Sequence, residues 1–170
     1  MSVPSTKQGS AGPSPSMTYF EDRGSVFDAP IDTVWDYIEK DQESHLKAHG
    51  TSLRNFEAKD LSEVTSLISC EVRWGGRWRK MVSRNTSIRP AVTINEELEG
   101  PYAGSKMVSL YYPQGRRTAI DVLCYMQSSE LSPKEIKRET MRTLAKTFME
   151  DAPFVRRLAR NHPTVLVPRS

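Results

Sequence analysis

The chain has 170 residues, a length typical of one domain, and its 24 Lys and Arg against 21 Asp and Glu give a formal charge of +3. It contains no apolar run of about 18 residues and no basic-then-apolar leader, so we expect neither a membrane-spanning helix nor export, and we predict a cytoplasmic protein. Cys70 and Cys124 lie in no Cys/His cluster, which excludes a zinc site or a disulfide scaffold.

The two ends of the chain differ in composition from the middle. Residues 1–18 are rich in Ser, Pro and Gly, carry one charge, and would bury too little apolar surface to offset the cost of ordering. We therefore predict a disordered tail at 1–18, a folded domain at 19–161, and a flexible tail at 162–170.

The first ordered segment, residues 19–27, is rich in aromatic and β-branched residues and predicts a strand. Asp28 and Pro30 then suit the cap and the first turn of a short amphipathic helix. A second short helix is predicted over 43–49, ended by Gly50. The apolar stripe of the first helix consists of Ile31, Val34, Trp35 and Ile38.

From Ser52 to Gln127 the pattern changes to about six strands in meander order, separated by turns that contain Gly or Pro. The pair Gly75-Gly76 predicts a hairpin for which two registers fit. A two-residue turn places Trp74 opposite Arg77, and a three-residue loop places Trp74 opposite Trp78. Register matters because a slip of one residue moves every side chain to the other face of the sheet.

The two registers point different rows of side chains inward. The two-residue turn points in Arg79, Met81 and Ser83. The three-residue loop points in Lys80, Val82, Arg84 and Ile88. We prefer the three-residue loop because its inward row is the more apolar.

A long amphipathic helix of some 25 residues is predicted near the C-terminus. Ser132 and Glu135 form a capping box, with Pro133 at the first helical position. Pro153 is expected to kink this helix or to split off a last short one. Its apolar stripe includes Ile136, Met141, Leu144, Ala145, Phe148, Ala152, Val155 and Leu158.

The order of strand, two short helices, antiparallel strands and one long helix resembles the helix-grip fold of the START-like (SRPBCC) superfamily, which includes polyketide cyclase-like proteins. Residues 26–37, VFDAPIDTVWDY, resemble the opening of that family, with an Ala-Pro helix start followed by Val-Trp. The resemblance implies an α+β fold, with a curved antiparallel sheet of about seven strands wrapped around the C-terminal helix.

Such a sheet leaves a cleft between itself and the helix, and clefts of this kind are usual small-molecule sites. We expect Glu96 to face inward, because it shares a row with Val92, Ile94 and Leu98, and we expect Arg84 or Lys80 to pair with it. The alternative is that Glu96 lies in solvent at a bulge or edge and that Arg84 covers the rim. The predicted cavity residues are Trp74, Trp78, Arg84, Glu96, Tyr112, Met126, Leu144 and Phe148.

Candidates for catalysis and for other partners are few. Glu96 with Tyr112 is the one pair that suits acid/base chemistry. His45 and His49 have helical metal-ligand spacing, but no third ligand is visible, so we predict no metal and no cofactor. The basic hairpin at 73–80 resembles a single-strand nucleic-acid binder, yet an acidic stretch balances it, and we predict no nucleic-acid partner.

These features predict a protein that binds a hydrophobic or amphipathic small molecule, such as a lipid, isoprenoid or polyketide-like ligand, between the sheet and the long helix. We expect a monomer or weak dimer without integral membrane association. Two alternatives remain open, namely an enzyme of the cyclase or dehydratase type in the same cavity, and a co-chaperone-like interaction module with a collapsed cavity.

Overall fold

The computed structural model of the chain describes residues 16–40, 46–74 and 76–161. The predicted C-terminal tail at 162–170 and residues 1–15 of the predicted N-terminal tail lie outside this range. The described part holds the predicted elements in the predicted order, and its folded domain matches the helix-grip arrangement.

Seven antiparallel strands form one sheet in the spatial order β1-β7-β6-β5-β4-β3-β2, so that β1 crosses to β7 and the other strands pair in sequence. A short helix, α1, follows β1, and a long helix, α2, follows β7. Residues 46–48 are also helical, while residues 43–45 of the predicted second short helix lie outside the described residues. The bounds are β1 Thr18–Phe27, α1 Ile31–Lys40, β2 Leu53–Asp60, β3 Thr65–Trp74, β4 Arg77–Ile88, β5 Val92–Glu99, β6 Lys106–Gln114, β7 Arg117–Met126 and α2 Pro133–Asn161.

Helix α1 is held at one end of the sheet by its apolar stripe and by two polar connections. Trp35 is fully buried, and the Thr118 hydroxyl of β7 donates a 2.8 Å hydrogen bond to the carbonyl of Ala29, just before the helix. Arg89, in the turn between β4 and β5, forms ion pairs with Asp36 and Glu39 of α1. The start of α1 is therefore connected to β7, and its later part is connected to the turn between β4 and β5.

Helix α2 begins with the predicted capping box. The Glu135 carboxylate accepts hydrogen bonds from the backbone N–H of Ser132 at 3.0 Å and from its hydroxyl at 2.6 Å. The helix continues through Pro153 to Asn161, so the sequence expectation that Pro153 splits off a separate last helix is wrong. None of the described helices is long and apolar enough to cross a membrane.

The main cluster of buried apolar side chains lies on one side of the molecule, around α2. Helix α2 packs mainly against β1 and α1, and the stacked rings of Phe27 and Phe148 lie 4.6 Å apart at this contact. Strands β1 and β7, the two helices and the segment before α1 supply the buried core cluster. We call this region the core half; its buried members are Phe20, Phe27, Ala29, Val34, Tyr37, Ile120, Val122, Cys124, Met126, Ile136 and Val155.

Candidate functional site

The pairing of the strands fixes which side chains face α2. Cys124 of β7 belongs to the core cluster, and it lies opposite Met107 of β6, which in turn lies opposite Asn95 of β5. Asn95 pairs with Asn85 of β4. These residues mark one row across the concave face, the face turned toward α2, and every second residue along each strand joins them.

A polar patch lies on the concave face, centred on β4, β5 and β6, beside the more apolar concave row of β3, which holds Ile68, Cys70 and Val72. The neighbouring row runs from Ile68 through Ser83, Glu97 and Ser105 to Met126, and is thus polar in its middle. We call this surface the polar half; it consists of Ser66, Ser83, Asn85, Ser87, Thr93, Asn95, Glu97 and Ser109. None of these eight residues belongs to the buried core cluster.

Hydrogen bonds within the polar half leave one amide oxygen unused. Asn95 Nδ2 donates to Asn85 Oδ1 at 2.6 Å, whereas Asn95 Oδ1 is shielded from solvent and has no hydrogen-bond partner within the described residues. The buried hydroxyl of Tyr111 shares hydrogen bonds with Thr93 and Ser109, and burial raises the pKa of Tyr111. A buried acceptor without a donor costs free energy, so Asn95 is suited to receive a donor from a bound molecule.

Glu97 is the buried carboxylate of the polar half. Its residue is 9% exposed, and burial raises the pKa of Glu97 to about 7. Among the described residues, none forms an ion pair or a side-chain hydrogen bond with its carboxylate. Its backbone is fixed by the turn that follows, because Glu97 N donates to Ser105 O at 2.9 Å and Gly104 N donates to Glu97 O at 2.7 Å. Glu97 is thus neutral or charged in comparable amounts near neutral pH.

The backbone conformation of the turn favours glycine at position 104. Gly104 has φ +86°, and a Cβ at this position would lie 1.9 Å from Gln127 Nε2. Gln127 Nε2 in turn donates to Ala103 O at 2.9 Å, and the Ser105 hydroxyl donates to Gln127 O at 3.1 Å. The turn is therefore packed against the end of β7 and holds Glu97 at a defined place.

The hairpin register places part of the predicted cavity set inward. Trp74 lies opposite Arg77, so the two-residue turn is the register present and our preference for the three-residue loop was wrong. Trp74 is half-buried and contacts Tyr102 edge to face at 6.1 Å. Met126, Leu144 and Phe148 lie in or against the core half. A role for these four residues in binding stays a prediction.

Four other predicted cavity residues lie on the convex face. Glu96 forms ion pairs with Arg84 at 2.8 Å and with Lys106 at 2.9 Å, and these contacts lower its pKa. Tyr112 is 42% exposed. Trp78 lies under the guanidinium of Arg54, 4.3 Å from the ring centre. The expectation that Glu96, Arg84 and Tyr112 point into the cavity is therefore wrong, because each is one residue out of phase with the concave rows.

No protein-family model matches this chain, and no curated protein matches it by sequence. Solved structures do match it by fold. A START superfamily protein from Mycobacterium smegmatis is 9% identical, with a TM-score of 0.70, covering 84% of this chain and 99% of that one. The Zhui aromatase/cyclase from Streptomyces sp. R1128 is 14% identical, with a TM-score of 0.66, covering 91% and 100%.

A third similar structure is norcoclaurine synthase from Thalictrum flavum, in complex with dopamine and hydroxybenzaldehyde. It is 12% identical, with a TM-score of 0.64, covering 96% of this chain and 99% of that one.

This chain has the START-like helix-grip fold.

Within this helix-grip fold, Glu97 is the candidate functional residue that sequence reasoning missed. The signal was present, because Thr93, Asn95 and Glu97 alternate with Val92, Ile94 and Glu96 along β5. In β5 the polar row is the one that faces α2. The alternation alone does not say which of the two rows faces the helix.

Other chemistry-bearing groups lie outside the polar half. His49 is buried between Glu150 and Asp151 of α2, at 2.8 Å and 3.0 Å, and Tyr37 donates to Asp151 at 2.5 Å. His45, the other member of the predicted histidine pair, lies outside the described residues. Within the described part of the chain, no group of three or more His, Cys, Asp or Glu side chains is arranged to hold a metal ion.

The two cysteines are not activated nucleophiles. Cys70 lies on the concave face of β3 beside the polar half, and burial, with a smaller effect of Glu97, raises its pKa to about 11. Burial, with a smaller effect of Asp22, likewise raises the pKa of Cys124 to about 11. Both thiols therefore stay protonated at neutral pH.

A groove of about 520 Å³ lies at the hairpin end of β4. It is partly closed by an ion pair between Arg79 and Glu130 at 2.7 Å. Trp78 lines it together with Gly100 and Pro101. The groove lies beyond the polar half, toward the tip of the hairpin, and Lys80, which also lines it, pairs with Glu99.

Proposed function

We propose that this chain binds a hydrophobic or amphipathic small molecule between the concave face of the sheet and α2. The observation that carries the proposal is the division of the concave face into a core half and a polar half. Buried polar groups without partners are costly in a region that serves folding alone. They are expected where a ligand supplies the missing partners.

The arrangement fits a ligand with two unlike ends. An apolar body would lie against the inner surface of the core half, near Met107 and Phe148, where burial of apolar area supplies most of the affinity. A polar group would reach Asn95 and Glu97. Similar folds support this assignment, since norcoclaurine synthase holds dopamine and hydroxybenzaldehyde, two small aromatic molecules.

The test begins with native mass spectrometry of the freshly purified protein, to detect a ligand that co-purifies. In parallel, thermal shift is measured across a panel of lipids, isoprenoids and polyketide-like compounds. We expect a bound mass or a stabilising compound. If neither is found, the proposal fails, and the interaction module becomes the better explanation of the fold.

A matched pair of variants locates the binding. Ser87→Phe places a ring on the concave face of β4, within the polar half, and Thr86→Phe places the same ring on the convex face of the same strand. We expect Ser87→Phe to abolish the thermal shift and Thr86→Phe to retain it. Equal loss in both variants, or loss only in Thr86→Phe, would contradict binding on the concave face.

One observation also favours catalysis of a cyclisation or dehydration in the same place. A carboxyl group with a pKa of about 7 suits acid/base work at neutral pH, and Glu97 provides it. The resemblance of the fold to an aromatase/cyclase supports the same candidate. The test is to incubate the protein with the compound that it binds and to follow its mass. Recovery of the compound unchanged would contradict this second function.

A further inference from the structure

Two hydrogen-bond acceptors without donors lie on the same face of β5. The Glu97 carboxylate has no hydrogen-bond or ion-pair partner among the described side chains, and Asn95 Oδ1 is shielded from solvent and unpaired. The two residues are separated by one residue along an extended strand, which puts them about 7 Å apart. Neither acceptor receives a hydrogen bond from an N–H or O–H group of the described side chains.

The basic side chains nearest to β5 do not supply that donor. Arg84 and Lys106 both bond to Glu96 on the convex face. Lys80 bonds to Glu99, also away from the concave side. Glu96 and Glu97 are thus adjacent residues with opposite surroundings: one carboxylate has two cations, and the other has none among the described residues.

A buried carboxylate without a partner is stabilised most by a cation that brings its own hydrogen-bond donors. An alcohol would supply one neutral donor to Glu97, whereas an ammonium supplies up to three together with a positive charge. A carboxylate ligand would be repelled whenever Glu97 is ionised. The surroundings of Glu97 therefore discriminate among ligands by charge.

Resting on the proposed function, we propose that the ligand is an amphipathic amine, with its protonated nitrogen at Glu97 and its apolar body toward the core half. A second N–H or O–H group on the ligand reaches Asn95 Oδ1. The row from Asn95 through Met107 to Cys124 joins the polar half to the core half, so a ligand anchored at Glu97 would direct its apolar body toward Met107.

The experiment compares three probes with the same ten-carbon chain: decylamine, decanol and decanoate. Affinities are measured by isothermal titration calorimetry with wild-type protein between pH 5.5 and 8.5. Decylamine stays protonated over this range, because alkylammonium groups resemble Lys, with a pKa of about 10.4. We expect decylamine to bind best at pH 8.5 and to lose about tenfold in affinity for each pH unit below 7, as Glu97 becomes protonated.

Proton release gives a second readout that needs no variant. Binding of the ammonium stabilises the ionised form of Glu97, so its proton passes to the buffer. Titrations at pH 6 in two buffers of different ionisation enthalpy should therefore show release of a proton with decylamine and none with decanol. Absence of release together with equal affinity for the amine and the alcohol would overturn the inference.

The matched variants are Glu97→Gln and Glu96→Gln, the same change on adjacent residues of opposite faces. Glu97→Gln should weaken decylamine between about 10-fold and about 100-fold at pH 8, the range for loss of a charged hydrogen bond, and leave decanol unchanged. Glu96→Gln should leave all three probes unchanged. An equal effect of both variants would overturn the inference.

The outcomes separate the two proposals. If decanol and decanoate bind as tightly as decylamine at every pH, the amine inference is overturned while the proposed function stands. If no probe binds and no ligand co-purifies, the proposed function itself is overturned and the inference falls with it.

Discussion

The core half and the polar half of the concave face differ in the contacts that their buried side chains make. In the core half, Phe27 and Val155 are buried against other apolar side chains of the chain. In the polar half, Asn95 Oδ1 lacks a hydrogen-bond partner, and Glu97 has a strongly raised pKa. The core half thus stabilises the fold, and the polar half is the candidate ligand surface of the proposed function.

The largest expected effect tests the core half. Phe27→Ala removes a buried ring stacked on Phe148 and should lower the free energy of unfolding by about 3–5 kcal/mol. Ile68→Ala, on the half-buried concave face of β3, should cost less than about 2 kcal/mol, because less apolar area returns to water. Urea denaturation of both variants is the measurement. Equal losses would mean that the two halves share one core.

The second prediction is that a substitution in the polar half raises the free energy of unfolding instead of lowering it. The folded-state pKa of Glu97, about 7, lies above its ordinary value of 4.5, so stability from this group is present below pH 4.5 and is lost as pH rises through 7. At about 1.4 kcal/mol per pH unit, a shift from 4.5 to about 7 corresponds to a loss of about 3–4 kcal/mol at pH 8. Glu97→Gln should therefore be more stable than the wild type by about that amount at pH 8, and equal to it near pH 4.5.

The control for that result is Glu96→Gln. Contacts with Lys106 and Arg84 lower the pKa of Glu96, so its stabilising effect is present above its ordinary value of 4.5 and is lost as pH falls through the lowered value. Thermal melts of both variants from pH 4 to pH 8.5 make the comparison. A Glu97→Gln variant that is less stable than the wild type at pH 8 would contradict the difference between the halves.

A smaller effect tests the paired cluster beside the core half. Burial by itself would lower the pKa of His49, but hydrogen bonds to Asp151 and Glu150 outweigh it and raise the pKa above 6.5. The stabilising effect of protonated His49 is thus fully present below pH 6.5 and is lost as pH rises through the folded value. We expect His49→Gln to cost more stability at pH 5.5 than at pH 8.5 in thermal melts.

A pH-independent cost would contradict that expectation. The groups that face His49 are Glu150 and Asp151, with Tyr37 bonded to Asp151 and Lys146 lying 3.5 Å from Glu150. Tyr37→Phe is a useful companion, because it removes one hydrogen bond from Asp151 and leaves the histidine in place. The melting temperature of Tyr37→Phe should depend on pH in the same way as that of the wild type.

The elements were predictable from the sequence, for local reasons. The capping box at Ser132 and Glu135 starts α2 where expected, and Gly75-Gly76 marks the hairpin, although Gly75 itself lies outside the described residues. Each of these signals depends on residues close together in sequence, so it can be recognised without knowledge of the tertiary structure. The order of the elements was then enough to indicate the fold.

The orientation of β5 and β6 was not predictable from their pattern. The rule that the apolar row faces inward placed Val92 and Ile94 on the concave side. Their cross-strand partners in β6 are Leu110 and Val108. The structure places all four on the convex face, where they pack beside one another across the strands. The concave row of β5 is the polar one, so the rule exchanges the two rows of that strand and moves the candidate carboxylate from Glu97 to Glu96.

The smallest expected effect tests that convex face. Arg84 and Glu96 form an ion pair whose side chains are 46% and 24% exposed, so solvent and salt screen the attraction. Arg84→Ala should lower the free energy of unfolding by about 0.2–1 kcal/mol, and the loss should shrink at 0.5 M salt relative to about 0.05 M. The measurement is urea denaturation at the two salt concentrations. A loss above about 2 kcal/mol that salt does not reduce would mean that the pair is shielded from water, and the assignment of opposite roles to the two faces of β5 would fail.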